Sequence, residues 1–281
     1  DVFIDDNNGI TFGAVTTSGG GTLDVDAGGA VDFSGAASIT GNLNVDTNAN
    51  GGTGGNITDS TGSLVVTGTT TLDAGTSDVV LDEDANDFIS ALTVTAANDV
   101  TLHDANSLTV AGVTSTGNVV LNIDRGTDIA ATLTINGVIT GGTVTVSGNG
   151  TNDTLIAPNV ASNVFTVNKT DGGTLASTGN TLVSFASFAN LTSAAGADTF
   201  TINPGATLSG NIVGGLNTDT LVLTDGTNTW EINAVGGGTV TDVIGTYAGI
   251  ENLTGGSDDD SFTFTNDGSL AGAVEIGRAH V

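Results

Sequence analysis

Apolar residues along this chain come in pairs with one residue between them, and most pairs are followed by Asp, Asn, Ser or Thr. In an extended segment alternate side chains share a face, so each pair reads as a short strand with one buried side. The pairs are Val2/Ile4, Leu23/Val25, Leu43/Val45, Leu64/Val66, Val79/Leu81, Val100/Leu102, Leu121/Ile123, Val144/Val146 and Phe165/Val167. Their first members are separated by 21, 20, 21, 15, 21, 21, 23 and 21 residues. A step this regular predicts a coil of about 21 residues, holding two or three strands joined by polar corners. One coil has no way of burying its apolar side alone, whereas stacked coils pair their backbones and share a core. The expected fold is all-β, a right-handed parallel β-helix (β-solenoid), with Leu81, Leu102 and Ile123 in one vertical file. The rival is a string of tandem immunoglobulin-like β-sandwiches, which needs longer strands than these.

A longer period overlies the coil. Residues 1–31 match 99–129 without gaps at an offset of 98, and 11 of the 31 pairs are identical, Asp6/Asp104, Asn8/Asn106 and Gly28/Gly126 among them. That offset reads as five coils, one of them short. A different unit begins at 148, where 148–213 resembles 214–275. Asn163-Val-Phe-Thr-Val-Asn aligns there with Asn228-Thr-Trp-Glu-Ile-Asn, Phe185 with Tyr247, and Asn190-Leu-Thr with Asn252-Leu-Thr. Asp198-Thr-Phe aligns with Asp260-Ser-Phe. The expected organisation is one solenoid region over 1–147 and a second over 148–274, built on a 62–66-residue unit. The tail 275–281 (EIGRAHV) brings Arg and His into a chain nearly devoid of both. It reads as a translated sequencing adapter, and the chain as a fragment of a longer protein.

Composition places the corners. Glycine supplies 43 of 281 residues, and Cys and Met are absent. A glycine inside a strand costs about 0.5–1 kcal/mol, while burying Val, Leu or Ile contributes about 1.5–3, so the glycines belong in turns. The position after each pair holds Asp5, Asp26, Asp46, Thr67, Asp82, His103, Asp124, Ser147 and Asn168, mostly turn formers that stacking would place in a column. Carboxylates stacked in this way repel one another, which a bound cation reverses and splaying into solvent relieves. Against 31 acidic residues stand only Arg125, Lys169 and Arg278, for a net charge of −28. Phosphate-backbone binding needs the opposite sign, which excludes nucleic acid as a partner. The apolar residues are too scattered for membrane insertion.

Segments such as Asp78–Ile123, with the elements ANDF, TAANDVTL, DANSLTV and TGNVVL, resemble the repeats of giant filamentous-haemagglutinin-like and autotransporter-type adhesins of Gram-negative bacteria. The stretch YAGIENLTGGSDDDSFTF at 247–264 looks like the repeats found beside them. The resemblance covers nearly the whole chain and transfers no defined binding residue. It implies a parallel β-helix, an extracellular position on the bacterial outer surface, and attachment to a receptor, glycan or matrix on a host or environmental surface.

Calcium is the sharpest candidate chemistry. The nonapeptide G-G-x-G-x-D-x-U-x of repeats-in-toxin β-rolls holds Ca²⁺ between adjacent turns through Gly carbonyls and Asp carboxylates. Gly255-Gly256-Ser-Asp258-Asp-Asp260-Ser-Phe-Thr matches except that Asp258 replaces the Gly of the fourth position. Weaker copies surround Asp219, Asp153 and Asp198. These copies stand alone where the β-roll needs tandem ones, and a solvated Gly/Asp turn explains them as well. Their aspartates lie 45, 21 and 41 residues apart, close to two, one and two coils, so one corner column is open to them. His103 reads as a turn residue, Asp82, Glu83 and Asp84 as a solvated loop, and Trp230 and Tyr247 as core. No nucleophile elbow, phosphate loop or Cys nucleophile is present, so no enzymatic activity is expected. A polysaccharide-active β-helix is the remaining alternative.

Overall fold

The computed structural model describes residues 1–49, 53–124 and 129–276, so Arg125, Arg278, His280 and the end of the 275–281 tail lie outside the described residues. Two compact units divide the chain, Asp1–Gly150 and Thr151–Val281. Among the described residues there is no α-helix.

Unit 1 is a parallel β-solenoid with three faces. Its first face stacks Val2–Asp6, Leu23–Ala27, Leu43–Asp46, Thr70–Asp73, Leu92–Ala97 and Leu108–Ser115. The second stacks Ile10–Phe12, Val31–Phe33, Ile57–Thr58, Val79–Leu81, Val100–His103, Val119–Asn122 and Val144–Ser147. Val15–Thr16, Ala37–Ile39, Leu64–Val66 and Asp87–Phe88 make the third. Every strand pair on these faces is parallel, which immunoglobulin-like sandwiches, built from antiparallel sheets, do not allow. Inward positions are apolar and closed to solvent, as in Leu23, Val25 and Ala27, while Asp24 and Asp26 between them point outward. Corner backbones approach so closely that a Cβ on Gly41 would lie 1.8 Å from the Gly21 carbonyl oxygen.

The faces correct three expectations drawn from periodicity. Leu64 and Val66 do not follow Leu43 and Val45 in one file. They sit on the third face over Ala37 and Ile39, and Leu43 and Val45 carry Thr70 and Leu72 instead. The 15-residue step therefore marks a change of face. The vertical file from Leu81 and Leu102 continues into Leu121, a step of 19, and not into Ile123. That coil is short because one long strand, Leu108–Ser115, takes the place of two, its halves pairing with Thr132–Ile135 and Ile139–Thr140. Ile123 is buried one pair further along, its N–H donating to Ser147 O at 3.0 Å.

The 98-residue period is not five coils. From Val2 through Leu23, Leu43 and Thr70 to Leu92 is four coils on the first face, and Val100, the repeat partner of Val2, then lies on the second. Leu23 and its partner Leu121 are displaced in the same way. One period thus advances the pattern by four coils and one face. Corner chemistry survives the shift: Asn8 N donates to Asp6 Oδ1 and Asn106 N to Asp104 Oδ1, each at 2.7 Å.

Unit 2 has two sheets. One runs in the order Thr154–Ile156, Asn190–Thr192, Leu208–Val213, Ile244–Ala248, Gly237–Val240, Thr229–Ala234, Ser261–Phe264. Its companion runs Val183–Ala186, Gly172–Ser177, Asn163–Lys169, Thr199–Ile202, Thr220–Leu223, Asn252–Thr254, Val274–Glu275. Each contains one antiparallel meander within an otherwise parallel stack. The meander from 163 lies in one sheet and its repeat partner from 228 in the other, so this repeat advances by an odd number of half-coils.

Both meanders pack alike. Phe165 stacks on Phe200 (4.9 Å, 5°) and meets Phe185 edge-on (6.3 Å, 76°). Trp230 stacks on Phe262 (5.1 Å, 20°) and meets Tyr247 edge-on (6.2 Å, 71°). The exchange of Phe for Trp and Tyr leaves Trp230 Nε1 and Tyr247 Oη buried without a hydrogen bond, and burial pushes the Tyr247 phenol up to about 12. Removing an unpaired buried hydroxyl is near neutral or favourable. Tyr247→Phe is therefore expected to leave the urea midpoint unchanged or to stabilise unit 2 by about 1 kcal/mol. A loss of that size would show that the hydroxyl is paired after all.

Candidate functional site

In unit 2 the acidic loops serve as caps for neighbouring coils. The loop from Ser193 to Asp198 joins the first sheet to the second. Asp198 Oδ1 accepts Asn163 N at 2.5 Å and Asn163 Nδ2 at 3.0 Å, and the Ser193 hydroxyl donates to Asp198 Oδ2. One coil on, Asp219 Oδ1 accepts Asp198 N at 2.8 Å, and Glu251 Oε2 in turn accepts Asp219 N at 2.8 Å. The carboxylates thus close the start of a strand where no backbone acceptor is available. Asp198 and Asp219 are both buried, and Asp219 is pushed up to about 6. Burial is the main cause; the Asp198 and Glu251 charges add to it, while the Asp198 N–H opposes it.

Asp260 repeats the motif on the opposite edge, in the loop leading from the second sheet back to the first. Its Oδ1 accepts Asn228 N and Nδ2, both at 2.9 Å. Gly255 stands where the earlier loop has Ser193. A Cβ there would lie 2.2 Å from Asp260 Oδ2, so the carboxylate fills the glycine's vacant side. Gly256 holds the turn at φ +100°, which favours glycine. Asp258 is exposed, and with Asp259, Thr227 and Ser257 it lines an open cleft of about 300 Å³. Asp153 is buried ahead of a first-sheet strand, and its carbonyl accepts Asn190 N at 2.9 Å.

The calcium candidates are therefore distributed. Asp198 and Asp219 share one edge through a 21-residue step, whereas the 41 residues from Asp219 to Asp260 include a meander and end on the other edge. Among the described residues no group of three or more His, Cys, Asp and Glu converges in a way that holds a metal ion.

Unit 1 has two acidic columns. On the first face Asp5, Asp26, Asp46 and Asp73 lie in register, so the first three sit together as their spacing suggests. Burial, then the charges of Asp24, Asp46 and Asp5, raise Asp26 above the usual carboxylate range. Asp46 and Asp73 accept the N–H two residues on (Asn48 at 2.7 Å, Gly75 at 2.9 Å), as turn formers do. Asp82 and His103 are not in this column, since Asp82 follows a strand of the second face and His103 ends one.

The second column, Asp59, Asn86 and Asp104, is buried and went unread in the sequence. Asn86 Nδ2 donates to Asp59 Oδ2 (2.6 Å), Asn86 Oδ1 accepts Leu64 N (2.7 Å) and Asp104 Oδ2 accepts Phe88 N (2.9 Å). The Asp-x-Asn at 104–106, repeated from 6–8, was its one available signal. Among the described residues the single imidazole, His103, lies beside Asn122 (Nε2 to Nδ2, 3.0 Å) and 3.6 Å from Asp84 Oδ1.

Residues 1–53 and 49–95, all in unit 1, match the family model described as Repeats of unknown function (DUF5649), and each match spans about two coils. No curated protein and no solved structure matches the chain.

Proposed function

We propose that this chain is a structural and adhesive repeat region, the stalk or passenger of a large secreted bacterial surface protein that mediates attachment or biofilm formation. The observation that carries the reading is the in-register parallel stacking of unit 1, in which each coil extends the same core and leaves a polar outer face. A scaffold of that kind lengthens by repetition without needing a new core. Catalysis has no support, since the buried acids are engaged in backbone caps. The resemblance to filamentous-haemagglutinin-like repeats supplies the extracellular setting, with a glycan, matrix or receptor on the opposing surface as partner. The test is antibody labelling of intact producing cells, combined with in-frame removal of this segment. Surface labelling and a several-fold drop in attachment support the reading. Labelling only after lysis, or undiminished attachment, refutes it.

A calcium-dependent structural module is the second reading, favoured by Asp219 Oδ2 and Asp260 Oδ2, which are buried without a hydrogen bond. Thermal melting with Ca²⁺ and with a chelator separates the two. The capping geometry, in which protein N–H groups occupy the other carboxylate oxygens, predicts equal midpoints. A rise with Ca²⁺ establishes the second reading.

A further inference from the structure

One turn of unit 1 is held on both sides by carboxylates. The turn 82–87 itself carries Asp82, Glu83, Asp84 and Asp87. From the coil before, Asp59 accepts Asp82 N (3.0 Å) with Oδ1, and Glu83 N (3.3 Å) and Asn86 Nδ2 with Oδ2. From the coil after, Asp104 accepts Phe88 N with Oδ2 and Asn106 N with Oδ1. Asp59 is 1 % exposed and Asp104 0 %. His103, next to Asp104, faces the same turn with Nδ1 3.6 Å from Asp84 Oδ1. Beyond Asp104 lies Asp124, whose Oδ1 accepts Ile129 N at 3.0 Å. Asn86 is the neutral member, an amide placed between two buried acids.

We propose that the turn 82–87, gripped by Asp59 and Asp104 and faced by His103, is a pH-operated clasp that is tight in acid and loosens as the pH rises to neutrality. Protonating a buried carboxylate removes its desolvation cost and its repulsion from a charge of the turn, Asp82 for Asp59 and Asp87 for Asp104. Burial pushes Asp104 up to about 7, with the Asp87 charge adding to it and the Phe88 and Asn106 N–H groups opposing. Asp59 is also raised, chiefly by burial. A folded-state value above the unfolded one means stability that is full at low pH and lost as pH rises through about 7. Loosening therefore begins above the ordinary carboxylate value of about 4 and levels off just above pH 7.

Hydrogen exchange of the amides of 83–88, corrected for intrinsic rate, reads the clasp directly. Local opening is expected to rise at least about ten-fold from pH 5.5 to 8.0, one pKa unit's worth of linkage, while amides of the Leu23–Ala27 strand change less. Asp104→Asn, which cannot charge, is expected to reduce that rise to under about three-fold. Exchange in the unaltered chain that does not vary with pH overturns the proposal, as does a rise that Asp104→Asn retains in full. Should Asp104→Asn not fold, NMR titration of the Asp104 carboxyl in the unaltered chain decides. A midpoint near 7 supports the clasp, and one below about 5 sinks it.

Discussion

Asp198→Ala is expected to destabilise unit 2 by about 2–4 kcal/mol, because two buried donors lose their acceptor together. Those donors are Asn163 N and the Ser193 hydroxyl, whereas Asn163 Nδ2 keeps Pro158 O and Ser193 Oγ. Each unpaired donor costs about 1–3 kcal/mol, and water entry recovers part of the sum. Asp198→Asn keeps one carbonyl oxygen for Asn163 and leaves the hydroxyl free to turn and accept, so its cost is expected near 1 kcal/mol. Urea unfolding followed by the fluorescence of Trp230, the single tryptophan, measures both in the unit concerned. A calcium ligand at this position behaves differently: both variants then lose stability only when Ca²⁺ is present. Equal losses for Ala and Asn, confined to calcium-loaded protein, would contradict the capping role.

Leu102→Asp is expected to abolish folding of the coils around it. Leu102 is closed to solvent between Leu81 and Leu121, so an aspartate there is a buried charge among apolar neighbours. Leu102→Ala in the same place is expected to cost about 2–5 kcal/mol for the lost burial and the cavity. The adjacent outward position provides the control: Thr101→Asp is expected to change stability by no more than about 0.5 kcal/mol. Because each coil contacts only its neighbours, the damage is local. Limited proteolysis should therefore cut the Leu102→Asp chain within unit 1 and leave unit 2 resistant. Comparable damage from Leu102→Asp and Thr101→Asp would be incompatible with alternating inward and outward faces.

Alternation of apolar and polar residues was enough to predict short parallel strands stacked into coils, since that pattern follows directly from strand geometry. The column of Asp5, Asp26 and Asp46 was legible because its coils have nearly equal length. Register failed where coil length varies. Between Leu43 and Thr70 the step is 27, and between Leu102 and Leu121 it is 19. A spacing rule cannot tell a longer corner from a new face, so Leu64/Val66 was assigned to the wrong file and Ile123 took the place of Leu121. The same ambiguity turned four coils and one face into five coils. In unit 2 the alignment of Phe185 with Tyr247 and of Phe165 with Trp230 carried through to matching aromatic clusters, because both members of each pair are large core residues. The caps were harder to see. Asp198 and Asp260 stood out as acids beside glycines, but their acceptor role depends on Asn163 and Asn228, 35 and 32 residues earlier. The buried Asp59 and Asn86 carry no sign in the sequence, and Asp104 carries only the Asp-x-Asn repeated from 6–8.

The absence of cysteine makes register directly testable by disulfide formation. Thr101 lies beside Val120 on the outer side of adjacent second-face strands, while Asn122 pairs with His103. Neighbouring parallel strands lie about 4.8 Å apart, within the range a disulfide spans. The pair Thr101→Cys with Val120→Cys should oxidise rapidly and completely to an intramolecular bridge. Thr101→Cys with Asn122→Cys, which a 21-residue coil would place face to face, should remain reduced. The opposite outcome, or bridging in neither pair, contradicts the stacked-coil architecture on which every other assignment rests.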